Sequence, residues 1–343
     1  MSGAEVTTGR GLLIDRFGRV HRNLRVSVTD RCNIRCFYCM PAENVPFRPK
    51  AELLTYEEIT RVVRVAASLG VRRVRLTGGE PLVRRDLPTL VAMLRNVDGL
   101  EEVSVTTNGI LLADMAGPLR RAGVDRLNVS LDALDAEAFR LITRRGGYER
   151  VIEGIDAAIA AGFTGLKVNA VAIKGVTETQ AAAFGRFARE RDVEVRFIEF
   201  MPLDADGSWD RSQVLEAAEI RRLIEAELPP LVPAGRRDAF GPAEVFEFAD
   251  GVGRIGFIAS VSEPFCAGCD RFRLTADGQI RNCLFASNEF DVRGVIRSGE
   301  CGDRIDTEVA AVLREAVAAK KAGHGIGDSG FAPPERAMYA IGG

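Results

Sequence analysis

The sequence predicts an α/β fold: a partial (βα)6 TIM-like barrel over residues 1–202, with a C-terminal domain over residues 203–343. Two observations predict it. From Arg25 to about Phe200, short β-branched runs alternate six times with amphipathic helical stretches, and strands separated by helices pair in parallel. Polar residues also collect at the C-terminal ends of several different strands: Thr77-Gly78-Gly79-Glu80, Thr106-Thr107-Asn108, Ser130-Leu131-Asp132 and Glu199-Phe200-Met201. A doubly wound sheet would gather its ligand at one switch-point crevice, whereas a site assembled from many strand ends belongs to a barrel.

The elements follow in order. Strands are expected at Arg25-Thr29, Arg72-Thr77, Glu102-Thr107, Arg126-Leu131, Leu166-Ile173 and Glu194-Phe200, each rich in Val, Ile or Thr. Helices are expected at Thr55-Leu69, Leu87-Arg95, Leu112-Ala122, Tyr148-Ala161 and Glu178-Arg189. Thr55 with Glu58 forms a capping box, and Gly70, Gly123 and Gly162 fall just past helix ends. After Pro202 the texture changes. One helix (Glu216-Glu227) precedes a proline-rich break at Pro229, Pro230 and Pro233. Short strands then return at Ala243-Phe248, Arg254-Ile258 and Arg271-Thr275, and Asp303-Lys321 reads as a last helix. This region is expected to form a satellite domain packed on the barrel. The Gly- and Pro-rich tail from His324 to Gly343 reads on composition alone as a frayed terminus.

Composition narrows the function. With 46% hydrophobic and 27% charged residues over 343 positions, the chain is globular rather than disordered or fibrous. No run of 18 apolar residues occurs, and the N-terminus carries Arg and Asp where a signal peptide needs an apolar core. A cytoplasmic protein without a membrane partner is expected. The net charge of −2 provides no global field for nucleic acid, so any anionic ligand must be held by a local basic pocket. Arginine dominates the 46 basic residues, so a single Arg carries little weight.

Six of the seven cysteines fall in two groups, Cys32, Cys36, Cys39 and Cys266, Cys269, Cys283, with Cys301 left over. In a reducing compartment such groups are more often metal sites than disulfides. Cys32-x3-Cys36-x2-Cys39 lies just past the first strand, where one loop can bind three corners of an iron–sulfur cluster and leave one iron open. Structural zinc closes a four-ligand shell, and ferredoxin runs supply four thiolates. An open iron is a place to bind substrate.

The run Cys32-Asn33-Ile34-Arg35-Cys36-Phe37-Tyr38-Cys39, followed by Gly78-Gly79-Glu80-Pro81 at the second strand end, resembles the signature of radical S-adenosylmethionine enzymes. The resemblance implies that the amino and carboxylate groups of S-adenosylmethionine chelate the open iron. One electron then cleaves the sulfonium to methionine and a 5'-deoxyadenosyl radical. It further implies that Gly78 and Gly79 allow close approach, that Glu80 accepts from the cofactor ammonium, that the Tyr38 backbone meets the adenine, and that Ser130 and Met201 line the same cofactor.

The second group, Cys266-x2-Cys269-x13-Cys283, again offers three thiolates and no evident fourth, since Cys301 reads as a bystander. A cluster with an open iron and a structural metal both fit these residues. The whole chain, however, is similar to the GTP 3',8-cyclase family of molybdenum cofactor biosynthesis. The likeness runs through Leu24-Cys32, Thr106-Gly109, Asn128-Ala133, Arg196-Met201, Phe265-Cys269, Arg271-Leu274 and the terminal Ile341-Gly342-Gly343. It implies two 4Fe-4S clusters, the second binding guanine. Arg25, Arg75, Thr106 and Lys167 then contact GTP, Arg271 and Arg273 form a catalytic basic pair near the triphosphate, and Gly342 and Gly343 thread a crowded catalytic cavity. Arg271 and Arg273 alternate on one strand and so share a face, and a guanidinium fork suits phosphate.

The expected reaction removes hydrogen from ribose C3' of GTP, joins C3' to guanine C8, and quenches the product radical with one electron and one proton to give 3',8-cyclo-7,8-dihydro-GTP. A downstream cyclic pyranopterin monophosphate synthase, an unidentified electron donor and a homodimeric assembly complete the expectation. A radical maturase with an auxiliary cluster and a zinc-stabilised binding protein are the rival readings.

Overall fold

The computed structural model describes residues 11–234, 241–299 and 302–342. Its first two thirds alternate as expected: β1 (Asn23–Ser27), α1 (Tyr56–Ser68), β2 (Arg73–Thr77), α2 (Leu87–Arg95), β3 (Glu102–Thr107), α3 (Leu112–Ala122), β4 (Arg126–Ser130), α4 (Ala136–Thr143), α5 (Tyr148–Ala160), β5 (Lys167–Ala172), α6 (Ala181–Arg191) and β6 (Glu194–Glu199). β1 to β6 pair side by side in chain order, all parallel. Their outer faces bury Val26, Val74, Val103, Val105, Leu127, Val129, Val168 and Val195. Against them pack helix stripes such as Ile59, Val62, Val63 and Ala66 of α1, the usual arrangement when helices cover a parallel sheet. Thr55 caps α1 with its side chain accepting from Glu58 N, and Glu58 answers from Thr55 N, as the capping box predicts.

α4 has no counterpart in the sequence reading. Its signal is present: Asp135 accepts from Ala138 N at 2.8 Å as an N-cap, and Phe139 and Ile142, one turn apart, are its buried face.

Beyond Pro202 come α7 (Ala217–Glu225), β7 (Leu231–Pro233), β8 (Glu244–Phe248), β9 (Arg254–Ile258), β10 (Arg271–Leu274), β11 (Gln279–Arg281), β12 (Phe290–Asp291), α8 (Arg293–Ile296), α9 (Asp303–Ala318) and α10 (Met338–Ile341). These strands extend the same sheet at both edges: β10 adds parallel to β1 and β9 parallel to β6. The parallel core is therefore eight strands wide, two more than the βα repeat alone predicts, because an open parallel sheet leaves main-chain groups at each edge that further strands satisfy. Antiparallel β11 and β12 finish one end, and β8 and β7 the other. The sheet remains a partial barrel, with β12 and β7 as its ends.

Candidate active site

The first cysteine loop leaves β1 and is sewn to its surroundings by main chain. Arg35 N and Phe37 N donate to the carbonyls of Thr143 and Ile142 at the end of α4, at 2.8 and 3.1 Å, and Cys39 N returns to Cys36 O at 2.9 Å. Tyr38 donates its hydroxyl to Asp132 Oδ2 at 2.5 Å, while Val171 N donates to Asp132 Oδ1, so one carboxylate past β4 joins the loop to β5. The Gly78-Gly79 run lies directly against this loop. A Cβ on Gly78 would stand 2.4 Å from Thr29 O, and one on Gly79 2.4 Å from Arg31 O. The close approach that these glycines permit is thus to the backbone of the cysteine loop itself.

Glu80 is buried, and its carboxylate accepts from Thr107 Oγ1 (2.7 Å), Asn108 N (2.6 Å) and Leu82 N (3.0 Å). Burial pushes its carboxyl up to about 7, against the pull of those three donors. Asn108 also turns its amide to Asn33 Oδ1 (2.7 Å) and to Cys32 Sγ (3.7 Å), a link that sequence reasoning missed. Ser130 ends β4 in register with Asn169 of β5, and Asn169 Oδ1 is buried without a partner. Asn169 is a second omission. Its spacing of two from Lys167 puts both on one face of β5, which is the signal that could have found it. Met201 follows β6 and is partly open.

Cys32, Cys36 and Cys39 are free thiols. Burial raises Cys32 to about 11, with Glu80 adding to the rise, and raises Cys36 and Cys39 well above their usual value, with Asp132 and the neighbouring thiols adding to it. Such a set stays protonated until a metal's charge replaces the protons. Among the described residues no three Cys, His, Asp or Glu side chains are arranged to hold one metal ion. A cubane cluster asks for something different, one thiolate for each of several irons, and an all-sulfur donor set suits it.

Across the sheet, basic side chains line up. Arg273 of β10 is the register partner of Arg25 of β1, which partners Arg75 of β2, which partners Ser104 of β3. Two residues further along, Thr106, Asn128 and Lys167 are partners across β3, β4 and β5. Partners in a parallel sheet point to the same face, so the predicted Arg25, Arg75, Thr106, Lys167 and Arg273 share the barrel interior with Ser104 and Asn128, which are not among the predicted residues. Arg25 is pushed well below its usual range by burial and then by Arg273, Arg271 and Arg75. Arg75 falls to about 10 through burial and then Arg196, Arg273 to about 10 through burial and then Arg271, and Lys167 to about 8 through burial and then Arg196. Arg196, in register with Asn169, is a third residue missing from the sequence-derived set. A concentration of like charge, with Arg273 and Arg196 buried and Arg25, Arg75 and Lys167 half-buried, is a binding site for a polyanion.

The second cysteine group borders this row. Cys269 lies two residues before Arg271, and Cys283 two residues after β11. Burial raises the Cys269 thiol, but Arg271 and Lys320 outweigh it and bring it down to about 7. Arg271 stacks over Phe265 at 4.7 Å. Arg273 Nη1 donates to Gly342 O, and Gly342 sits at φ +73° with Ser27 and Thr77 beside its α-carbon. One turn earlier, the Tyr339 main-chain N–H meets Cys39. Where composition alone reads a frayed terminus, the described tail is docked, with Ile341 wholly buried. Gly343 and Cys301 lie outside the described residues. A cavity of about 260 Å3 between α5 and α6, among Tyr148, Ile152, Phe187 and Arg191, touches none of the predicted site residues.

The chain resembles known proteins along almost its whole length. Residues 26–188 match the Radical SAM superfamily and residues 193–326 match Molybdenum Cofactor Synthesis C. A relative from Rhodopirellula baltica named GTP 3',8-cyclase is 51% identical over 96% of this chain and 92% of its own length. One from Streptomyces coelicolor with the same name is 46% identical over 98% of this chain and 97% of its own. Among solved structures, Streptococcus suis SuiB superposes with a TM-score of 0.58 at 15% identity, covering 87% of this chain and 67% of that one. Native anSMEcpe with bound AdoMet gives 0.57 at 16% identity, covering 78% of this chain and 77% of the other. These two likenesses concern the fold alone. Identity near one half over almost the whole length does more, and by it the chain belongs to the GTP 3',8-cyclase family of the radical SAM superfamily.

Proposed function

We infer that the protein is a GTP 3',8-cyclase, converting GTP to 3',8-cyclo-7,8-dihydro-GTP at the first step of molybdenum cofactor biosynthesis. The observation that carries this reading is the in-register row Arg273, Arg25 and Arg75, lying between two groups of three free thiols. Membership of the radical SAM superfamily brings one 4Fe-4S cluster and S-adenosylmethionine. We assign the cluster to Cys32, Cys36 and Cys39, and a second to Cys266, Cys269 and Cys283 in the domain spanning 203–343. When bound, the first cluster and S-adenosylmethionine supply the 5'-deoxyadenosyl radical that takes hydrogen from ribose C3'.

The chain's own residues do the rest. Gly78 and Gly79 press the second strand end onto the cysteine loop, and Glu80 presents a buried carboxylate for the cofactor ammonium. The Tyr38 backbone, Ser130 and Met201 line the remaining length of the cofactor. Arg25, Arg75, Arg271 and Arg273 hold the triphosphate through paired N–H donors and Lys167 through its point charge, with Thr106 on the same face. The tail closes the cavity: Gly342 fits where a side chain would collide and its carbonyl orients Arg273, while a catalytic role for Gly343, which lies outside the described residues, rests on the family likeness alone.

No helix among the described residues is long and apolar enough to cross a membrane. The free thiols suit a reducing, cytoplasmic setting. A homodimer, an electron donor and handover of the product to a cyclic pyranopterin monophosphate synthase belong to the same reading. The test is anaerobic purification with iron and sulfide analysis, then incubation with dithionite, S-adenosylmethionine and each nucleoside triphosphate in turn. About eight irons per chain, four for each cluster, with 5'-deoxyadenosine and a cyclised nucleotide formed only with GTP, are expected. Iron without GTP dependence would transfer the chain to the maturases, and zinc in place of iron would end the enzyme reading.

A further inference from the structure

Lys320 lies two residues beyond α9 and is 3% exposed. An ammonium has three donors, and all three are engaged: with Cys269 Sγ at 3.6 Å, Asn282 O at 2.8 Å and Arg271 O at 2.5 Å. Asn282 precedes Cys283, and Arg271 follows Cys269 on β10, so one side chain joins the two halves of the second cysteine group. The helix backs the junction again, since Asn282 Nδ2 donates to Ala316 O at 2.9 Å.

Two main-chain carbonyls do not require a charged donor. A neutral amide would satisfy them without the desolvation cost of an ammonium, which is several kcal/mol when unpaired. The negative charge that faces Lys320 is that of Cys269 and Cys283, while Arg19 and Arg271 repel it. The charge of the side chain therefore has a function only when those sulfurs are thiolates, as they are around iron. The first group is set differently: Glu80 and Asp132 are acidic neighbours of its thiols, with Arg35 as a weaker opposing charge at Cys32.

We propose that Lys320 is a positioning and tuning residue of the second iron–sulfur cluster, joining its two cysteine segments and raising its reduction potential through the N–H···S contact to Cys269. This rests on the two-cluster reading above. A fixed positive charge and a donor on a ligating sulfur favour the reduced cluster, which carries one more negative charge. The two clusters then differ in their surroundings, with acidic groups prevailing over Arg35 around the first and with Lys320 and Arg271 facing the second.

The test is an EPR-monitored redox titration of the full chain with Cys32, Cys36 and Cys39 replaced by Ala, so that only the second group carries iron. Lys320→Met is expected to keep the parent's iron and to shift the oxidised-to-reduced ratio at a fixed potential about tenfold toward the oxidised form, about 59 mV for a one-electron couple. Lys320→Arg, which restores the charge, is expected to return within about twofold. An unmoved midpoint in Lys320→Met with its iron intact overturns the proposal. If Lys320→Met holds no iron, Lys320→Gln replaces it with the same expected direction, and a Gln variant at the parent's midpoint overturns the proposal equally. Loss of iron from both neutral variants with full iron in Lys320→Arg sustains the role of the charge, whereas loss from all three makes the role structural and overturns it. A parent that binds no iron overturns the two-cluster reading itself, and the role of Lys320 falls with it.

Discussion

Replacing Gly342 by Ala should release the C-terminal tail from the barrel. Gly342 holds φ +73°, where a side chain costs about 1–2 kcal/mol. The added Cβ would stand 3.0 Å from Ser27 Cβ and 3.3 Å from Thr77 Cγ2, and overpacking of this kind costs a further ~1–3 kcal/mol. Against that total stand the forces that dock the tail. The hydrogen bond from Arg273 to Gly342 O contributes roughly 1.5–3 kcal/mol, as a charged donor does. Burial of Ile341 contributes about as much again. The two sums are comparable, so the docked tail should fall from the dominant state to roughly half of the molecules. Amide hydrogen exchange across residues 338–342, with carboxypeptidase digestion as a second probe, reads this directly, and GTP turnover should fall in parallel while iron content holds. Gly162→Ala is the control, because Gly162 also has a positive φ (+82°) but nothing within 4 Å of the added Cβ; it should lower global stability slightly and leave the tail protected. Unchanged protection of the tail in Gly342→Ala would refute the reasoning.

Three further outcomes follow from the same geometry. Arg273→Ala should weaken GTP binding by about 10- to 150-fold, the loss of one charged hydrogen-bonding group at roughly 1.5–3 kcal/mol; equilibrium dialysis against GTP at constant iron content checks it. Gly79→Ala places a Cβ 2.4 Å from Arg31 O and 2.7 Å from Arg31 C, so it should displace the cysteine loop and cost the iron of the first group while that of the second remains, halving the iron found by analysis. Glu80 gives a pH signature in the metal-free protein. Its carboxyl, raised from 4.5 to about 7, binds its proton more tightly folded than unfolded. It therefore contributes stability fully below pH 4.5, and that contribution drains away as pH rises to 7, by about 3 kcal/mol in all. Glu80→Gln should flatten the fall of Tm with pH across that window, and an unaltered slope would count against the burial of a lone carboxylate there.

Much of this was legible in the sequence because it is local. The alternation of Val-rich runs with capped amphipathic stretches specifies β1 to β6 and every helix between them but the short α4, and three cysteines in one loop need no tertiary information to be noticed. What could not be read is what distant segments do to one another. Arg271 to Thr275 reads as a strand, but that it pairs in parallel with β1 and sets Arg273 beside Arg25 is decided by the unsatisfied edge of the sheet. The Glu80, Thr107 and Asn108 network joins two strand ends that the sequence separates by a helix. Composition misled at the tail, because Gly and Pro mark loose termini on average, and here the glycine is what permits docking.

The row of arginines also says something about how the site is built. In-register parallel strands stack like residues directly beside one another, so three guanidiniums on three neighbouring strands are forced together whether or not a ligand is present. Each loses hydration first, and each also has repulsive neighbours: Arg273, Arg271 and Arg75 for Arg25, Arg196 and Arg271 for Arg75, and Arg271 and Arg281 for Arg273, so all three lose affinity for their protons. A core selected for stability alone would not keep such a cluster, since apolar residues of similar volume would stabilise the sheet more. The cost is borne by the empty protein and is recovered when a polyanion enters. The same free energy then appears twice, as affinity for a triphosphate and as thermal stabilisation by it.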